Sequence, residues 1–232
     1  MKINCIWEGP AALGEGPLWH VDEQVLYWVD IAGQLLHCLN PSNGKHQSWP
    51  MPAPIGCIAP RESGGLIAVI GQGVYFIDLP SGHLTLKADT QSGLRMNDGK
   101  CDRQGRFWFG SIDFDNPMAC LYRYDSDGEL KVMEDDVYVS NGLGWSPDNK
   151  IFYYTDSPRR QIYAYDFDAN KGDIHNKRVL VEVPEENGFP DGLTIDSEGY
   201  IWGACWEGSK IVRYAPDGSV DREIKMPVKR PT

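Results

Sequence analysis

Residues 191–226 read DGLTIDSEGYIWGACWEGSKIVRYAPDGSVDREIKM. This stretch contains four short runs of β-branched, aromatic or other apolar residues, separated by turns rich in Gly, Asp, Glu and Ser. Two such runs joined by a Gly-containing turn are typical of a β-hairpin. The stretch therefore predicts two hairpins in succession, which together form a four-stranded antiparallel unit.

The same unit occurs four more times upstream, and two series of glycines mark it. One series opens the first hairpin of each unit, and the other occupies the turn of the second hairpin. The opening glycines are Gly16, Gly56, Gly99, Gly142 and Gly192, and the turn glycines are Gly44, Gly82, Gly128, Gly172 and Gly218. Members of each series lie 38 to 50 residues apart. A four-stranded repeat of this period predicts propeller blades, so we expect residues 1–232 to form one all-β propeller domain with about five blades. A β-sandwich with coincidental spacing is the alternative.

The charge and the cysteines narrow the class of partner and compartment. The chain of 232 residues has 22 Lys and Arg against 33 Asp and Glu, a net charge of −11. Binding to phosphates needs a basic face, so we expect neither nucleic acid nor a membrane as a partner. The six cysteines include no C-x-x-C pair, and the opening residues MKINCIWEGP lack the apolar segment of a signal peptide. We therefore expect a cytoplasmic protein, either a monomer or a weak homo-oligomer.

Four of the units carry longer motifs that resemble a known family. These are GEGPLW at 14–19, RMNDGKCDRQGRFWFGS at 95–111, SNGLGWSPDNKIFYYTDS at 140–157 and PDGLTIDSEGYIW at 190–202. In this order and at these intervals they resemble the regucalcin/gluconolactonase (senescence marker protein-like) family of sugar lactonases. The resemblance implies a six-bladed propeller with a divalent metal ion in its central channel. It also implies hydrolysis of aldonolactones to aldonic acids, a step of carbohydrate metabolism.

The sequence ends after its fifth unit, where members of this family continue through a sixth blade. A ring that lacks one sector would leave strand edges unpaired and one face open to water. We therefore expect this chain to be truncated before the last blade. Closure of the ring with five blades is the alternative.

The residues that precede the opening glycines are the candidate site. They are Glu15, Ile55, Asp98, Asn141 and Asp191. The innermost strand of each blade lines the axis of a propeller, so we expect these side chains to face one channel. Crowded carboxylates repel each other unless a cation compensates them, and oxygen ligands suit Ca²⁺, Mn²⁺ or Mg²⁺, although Zn²⁺ also accepts carboxylates. Ordinary turn chemistry is the alternative reading of Asp or Asn before Gly.

The resemblance assigns roles to these and to neighbouring residues. It implies that Glu15, Asn141 and Asp191 bind one divalent cation, with Asp98 as a neighbour of the site. Asp191 is also the expected catalytic base, and Arg95 and Asn97 are the expected substrate-binding residues.

One substrate contact departs from the family pattern. Some members place a glutamate after the second strand of the third unit, where this chain reads GSIDFDN. Asp113 or Asp115 is the candidate substitute, and we expect the difference to shift sugar preference. Trp19, Trp145 and Trp206 are candidates for stacking on the sugar, with a role in the core as the alternative.

These observations predict a divalent-metal-dependent lactonase that acts on a small sugar lactone such as a gluconolactone or an arabinonolactone. The absence of a G-x-S-x-G motif argues against a serine hydrolase. Two alternatives stay open. One is a related paraoxonase-like esterase, and the other is a non-enzymatic propeller that binds calcium or a protein partner.

Overall fold

The alternation of short apolar runs and turns produces five antiparallel sheets of four strands each, as seen in a computed structural model that describes residues 3–232. In every sheet the strands are neighbours in the order in which they occur along the chain. The chain divides into two compact units, residues 1–96 and residues 97–232.

The first unit contains two of the sheets. Their strands are β1 (Gly14–His20), β2 (Val25–Asp30), β3 (Leu35–Asn40) and β4 (Lys45–Pro50), then β5 (Ile55–Pro60), β6 (Leu66–Ile70), β7 (Gly73–Asp78) and β8 (His83–Asp89). A shared apolar cluster, which includes Val29, Leu36, Ile55 and Ile77, packs the two sheets face to face. Strand β6 is buried along its whole length and β5 along all but its last residue, whereas the outermost strand β8 is largely exposed.

The other three sheets belong to the second unit, although the first strand of the third sheet starts within the last residues of the first unit. They are formed by β9 (Arg95–Cys101), β10 (Phe107–Ile112), β11 (Ala119–Tyr124) and β12 (Leu130–Val137); by β13 (Ser140–Trp145), β14 (Ile151–Asp156), β15 (Gln161–Asp168) and β16 (Asp173–Glu182); and by β17 (Phe189–Ile195), β18 (Ile201–Trp206), β19 (Lys210–Tyr214) and β20 (Val220–Lys225). A 3₁₀ helix, Glu185–Asn187, precedes β17. Strands β10 and β13 are buried along their whole length.

The third and fifth sheets share a side-chain clamp at the turn between their first two strands. Asp102 accepts hydrogen bonds from Arg106 Nε at 2.6 Å and Trp108 Nε1 at 3.1 Å. Asp196 accepts the equivalent bond from Trp202 Nε1 at 2.9 Å, and it accepts a second bond from Arg213 Nη2 at 2.7 Å, which comes from the third strand of its sheet and not from the turn. The recurrence of the Asp–Trp hydrogen bond at equivalent positions supports the repeat that the sequence predicts.

The prediction of an all-β propeller with five blades present is confirmed. All five turn glycines have the left-handed backbone conformation that a tight turn favours, with φ between 71° and 93°. The six-bladed architecture, the truncation and the single-domain organisation stay predictions. Among residues 3–232, no helix is long and apolar enough to cross a membrane.

Candidate functional site

Four of the five opening glycines lie at irregularities of the innermost strands. The pairing register shifts between Glu15 and Leu18 in β1, between Asn141 and Leu143 in β13, and between Pro190 and Leu193 in β17. Strand β5 has a similar shift next to Gly56. A β-bulge inserts an extra residue, bends the strand and changes the direction of the adjacent side chains. The direction of the side chain before each of these glycines is therefore determined by the bulged backbone and not by simple strand alternation.

Gly142 brings the backbones of β13 and β17 together. A Cβ atom at this position would lie 2.5 Å from the carbonyl oxygen of Asp191 and 2.7 Å from the amide nitrogen of Leu193. No side chain fits in that space, so only glycine allows this approach. The close approach places the residues before Gly142 and Gly192 next to each other.

Asn141 and Asp191 form a buried pair although 50 residues separate them in sequence. Asn141 Nδ2 donates to Asp191 Oδ1 and also to Ser157 Oγ, at 3.1 Å for the hydroxyl. The backbone amide of Gly142 donates to Asn141 Oδ1 at 3.2 Å. The two residues are 7% and 6% exposed, respectively, so little water reaches them. The convergence that the sequence predicts for these two residues is present.

A second carboxylate, Asp98, acts on Asp191. Burial and the negative charge of Asp98 raise the pKa of Asp191 to about 7, against the opposing effect of the Asn141 hydrogen bond. Burial also raises the pKa of Asp98, while Lys100 and the amide of Gly99 lower it. Two partly desolvated carboxylates that repel each other favour either a shared proton or a bound cation.

Lys100 is a part of this cluster that the sequence analysis missed. Its ammonium Nζ donates to the carbonyl oxygen of Leu193 at 3.2 Å, and so links β9 to β17. Burial lowers the pKa of Lys100, and the nearby Asp98 raises it. The signal was available, because Lys100 lies two residues after Asp98 and alternate residues of a strand share a face.

Asn97 occupies the other side of β9. Its Nδ2 donates to the carbonyl oxygen of Ser140 at 2.9 Å, and the residue is 9% exposed. This bond joins β9 to β13 one residue before Asn141. The role of Asn97 in substrate binding stays a prediction.

Glu15 and Arg95 belong to the first unit, where they interact electrostatically. Burial lowers the pKa of Arg95, and the charge of Glu15 raises it. Nη1 of Arg95 also donates to the carbonyl oxygen of Met96 at 3.2 Å. Glu15 is half-buried on β1, where it pairs with Val29. The assignment of Glu15 to the metal and of Arg95 to the substrate stays a prediction.

Two further candidates take part in local structure. Asp113 Oδ1 accepts hydrogen bonds from the amides of Asp115 and Asn116, each at 3.0 Å, so this carboxylate caps its own turn. Trp145 is 8% exposed and packs against Phe152 at a ring-centroid distance of 5.2 Å. The core alternative therefore describes Trp145.

A separate group of acidic residues lies in the turn between β11 and β12. Asp125, Asp127 and Glu129 bring ligand atoms within 4.8 Å of one another. Basic side chains already compensate this group, since Arg123 contacts Asp125 at 2.7 Å and Lys131 contacts Glu129 at 2.8 Å. Asp127 and Glu129 are exposed, whereas Asp191 is 6% exposed.

Comparison with known proteins gives a consistent result. Residues 13–232 match the family described as SMP-30/Gluconolactonase/LRE-like region. The chain is 38% identical to 6-deoxy-6-sulfogluconolactonase of Pseudomonas putida, over 99% of this chain and 81% of that protein. It is 34% identical to a pentonolactonase of Haloferax volcanii, over 100% of this chain and 80% of the relative. The crystal structure of a calcium-binding protein, regucalcin, from Agrobacterium tumefaciens superimposes with a TM-score of 0.93 at 26% identity, covering 97% of this chain and 78% of the other.

Proposed function

The chain belongs to the SMP-30/gluconolactonase/LRE-like family, and from that premise we propose that it is a divalent-metal-dependent lactonase that hydrolyses a sugar lactone to the corresponding acid. Relatives named as a sulfogluconolactonase and a pentonolactonase support the class of substrate. The observation that carries the proposal is the cluster of Asp98, Asn141 and Asp191, in which Asn141 and Asp191 are buried. Groups with raised pKa values and convergent geometry are typical of a functional site.

The donor set fits a divalent cation. Asp191 offers a carboxylate, Asn141 would offer its amide oxygen after its amide group turns away from the hydrogen bond to Asp191 Oδ1, and the family resemblance adds Glu15 as a third ligand. These are oxygen donors, which suit Ca²⁺ and Mn²⁺ and are accepted by Zn²⁺. A cation would offset the repulsion that raises the pKa of Asp191. When bound, it would polarise the lactone carbonyl and stabilise negative charge on its oxygen.

The residues of the chain supply orientation and proton transfer. Asn141 fixes the orientation of the Asp191 carboxylate through its hydrogen bond to Oδ1. Asp191 accepts a proton from the water molecule whose oxygen forms the new bond to the carbonyl carbon. The ester C–O bond of the ring then breaks, and Asp191 returns the proton to the departing alkoxide oxygen. Arg95 and Asn97 orient the sugar hydroxyls in this proposal.

The test is lactone hydrolysis with defined metal content. We expect protein treated with EDTA to be inactive towards D-glucono-1,5-lactone and L-arabinono-1,4-lactone, after subtraction of spontaneous hydrolysis, and Ca²⁺, Mn²⁺ or Zn²⁺ to restore turnover. Asp191→Asn should reduce kcat at least 10²-fold, in the range of losses for a general base. Asp148→Asn, at an exposed turn of the same unit, is the matched control and should retain activity.

The alternatives give different results in the same assay. Cation binding without hydrolysis of any lactone would favour a calcium-binding propeller. The structurally similar regucalcin is described as a calcium-binding protein. Preference for an aryl ester such as paraoxon over both sugar lactones would favour an esterase. Full activity of Asp191→Asn would remove the assignment of the base.

A further inference from the structure

The loop of residues 113–118 lies at the edge of its sheet where the candidate site begins. Strand β10 ends at Ile112 and neighbours β9 in the sheet. The two strands are joined by a short turn in which the amide of Asp102 donates to the carbonyl oxygen of Arg106 at 3.0 Å, so they are antiparallel. The loop that follows β10 is therefore at the same edge as the first residues of β9, among them Asn97 and Asp98.

Backbone contacts fix this loop beside Asn141. Ile112 forms an antiparallel bridge with Val139, and the amide of Asp113 donates to the carbonyl oxygen of Tyr138 at 2.7 Å. Tyr138 and Val139 immediately precede the start of β13, which carries Asn141 as its second residue. The loop is thus adjacent to the strand that supplies one proposed cation ligand.

The side chains that this loop presents to solvent include two large apolar groups. Phe114 is 70% exposed and Met118 is 69% exposed. The loop also contains the carboxylate of Asp113, but its Oδ1 atom is not free, since it caps the turn. Single exposed apolar residues are common on protein surfaces, but two on one six-residue loop beside a polar site are a local concentration.

We infer that Phe114 and Met118 form an apolar rim of the site and make it selective for aldonolactones whose exocyclic terminal carbon lacks a hydroxyl group. This inference rests on the proposed lactonase function. The carbonyl end of the substrate lies at Asn141 and Asp191, and the rim contacts the part of the molecule that projects from the site. A hydroxyl group pressed against apolar side chains loses water without gaining a hydrogen bond, whereas a methyl group loses nothing.

The test uses two substrates that differ by one oxygen atom, D-glucono-1,5-lactone and 6-deoxy-D-glucono-1,5-lactone. We expect kcat/KM to be about tenfold higher for the 6-deoxy compound, which is the usual size of such discrimination by an apolar surface. The double variant Phe114→Ser/Met118→Ser should bring the ratio close to one, mainly through a higher KM for the 6-deoxy lactone. Its far-UV circular dichroism and Tm should match the wild type, because both side chains are exposed.

Val132→Ser is the matched control. Val132 lies on the outer strand β12 of the same sheet and is 57% exposed, so this variant should keep the wild-type ratio. A wild-type ratio of one or below, or an unchanged ratio in the double variant, would overturn the inference and leave lactonase activity intact. Failure of the wild type to hydrolyse either compound with any cation would instead overturn the proposed function, and the inference with it.

Discussion

Asp191 is held in a place where its negative charge is disfavoured. Burial and the neighbouring Asp98 raise its pKa from 3.8 to about 7. Residues in functional sites often reduce stability in this way, because the arrangement that binds a ligand is unfavourable without it. The energetic cost belongs to the metal-free protein, since a cation would compensate both carboxylates.

Asp191 therefore predicts a dependence of stability on pH. The folded chain retains a proton that the unfolded chain releases between pH 3.8 and about 7. The contribution of Asp191 to stability is thus complete below pH 3.8 and is lost as the pH rises through about 7. In EDTA, Asp191→Asn should raise Tm at pH 8 by roughly 5 °C, with a much smaller effect at pH 4.

Thermal scans of the wild type, Asp191→Asn and the exposed-residue control Asp115→Asn at both pH values check this expectation. Asp115→Asn should show no increase in Tm that is larger at pH 8 than at pH 4. A larger gain for Asp191→Asn at pH 4 than at pH 8 would contradict the proposed electrostatic origin. Addition of Ca²⁺ or Mn²⁺ should stabilise the wild type more than the variant, because the variant lacks a ligand.

Lys100 contributes to the candidate site although the sequence motifs assign it no role. Its ammonium reaches the carbonyl oxygen of Leu193 on β17 and faces Asp98 on its own strand. A charged donor of this kind both satisfies an edge carbonyl and compensates a buried carboxylate. The cluster consequently contains a basic group as well as its acidic groups.

At the scale of elements, the bulged innermost strand is the device that builds the site. The pairing register shifts directly after Asn141 in β13 and across Asp191 in β17. Gly142 then allows β13 to approach β17 closely enough for Asn141 to reach Asp191. The pair depends on the backbone as much as on its own side chains.

Gly142→Ala tests this dependence. The new methyl group would lie 2.5 Å from a backbone oxygen and 2.7 Å from a backbone nitrogen, neither of which can rotate away. We expect a loss of about 2 kcal/mol in the free energy of unfolding, typical of overpacking, and a loss of lactonase activity that exceeds the effect of destabilisation alone. Urea unfolding and kcat at a temperature where the variant is fully folded measure the two effects.

Gly203→Ala on β18 is the matched control. Its added Cβ would lie 3.5 Å from the ring of Tyr214, an ordinary contact, so stability and activity should change little. Equal behaviour of the two alanine variants would show that the close approach at Gly142 is not needed for the site.

At the scale of the whole molecule, the blade repeat continues through the boundary between the two compact units. Strand β9 spans Arg95–Cys101, and the boundary falls after Met96, so no linker separates the units along the chain. The sequence predicts one domain, and calorimetry tests this prediction. We expect a single transition whose calorimetric and van't Hoff enthalpies agree. Two resolved transitions would mean that residues 1–96 and 97–232 unfold separately.

The amino-acid sequence by itself determined the number of blades, the positions of the strands and the left-handed turns. These features follow from patterns within a few neighbouring residues, such as a Gly-containing turn between two apolar runs. The same patterns occur in all five repeats. The sequence also marked Asp98, Asn141 and Asp191 as equivalent positions, because equivalence in a repeat can be read from spacing. Family membership was predictable from the motifs at 14–19, 95–111, 140–157 and 190–202, which lie in order along the chain.

Only the tertiary structure decided which atoms meet. The bond from Asn141 to Asp191 and the bond from Lys100 to Leu193 join strands that are far apart in sequence. Spacing predicts that side chains share a region, but it gives neither their direction nor their partners. A hydrogen bond requires donor and acceptor to be placed within a few tenths of an ångström of their ideal separation. That precision arises from the packing of β9, β13 and β17.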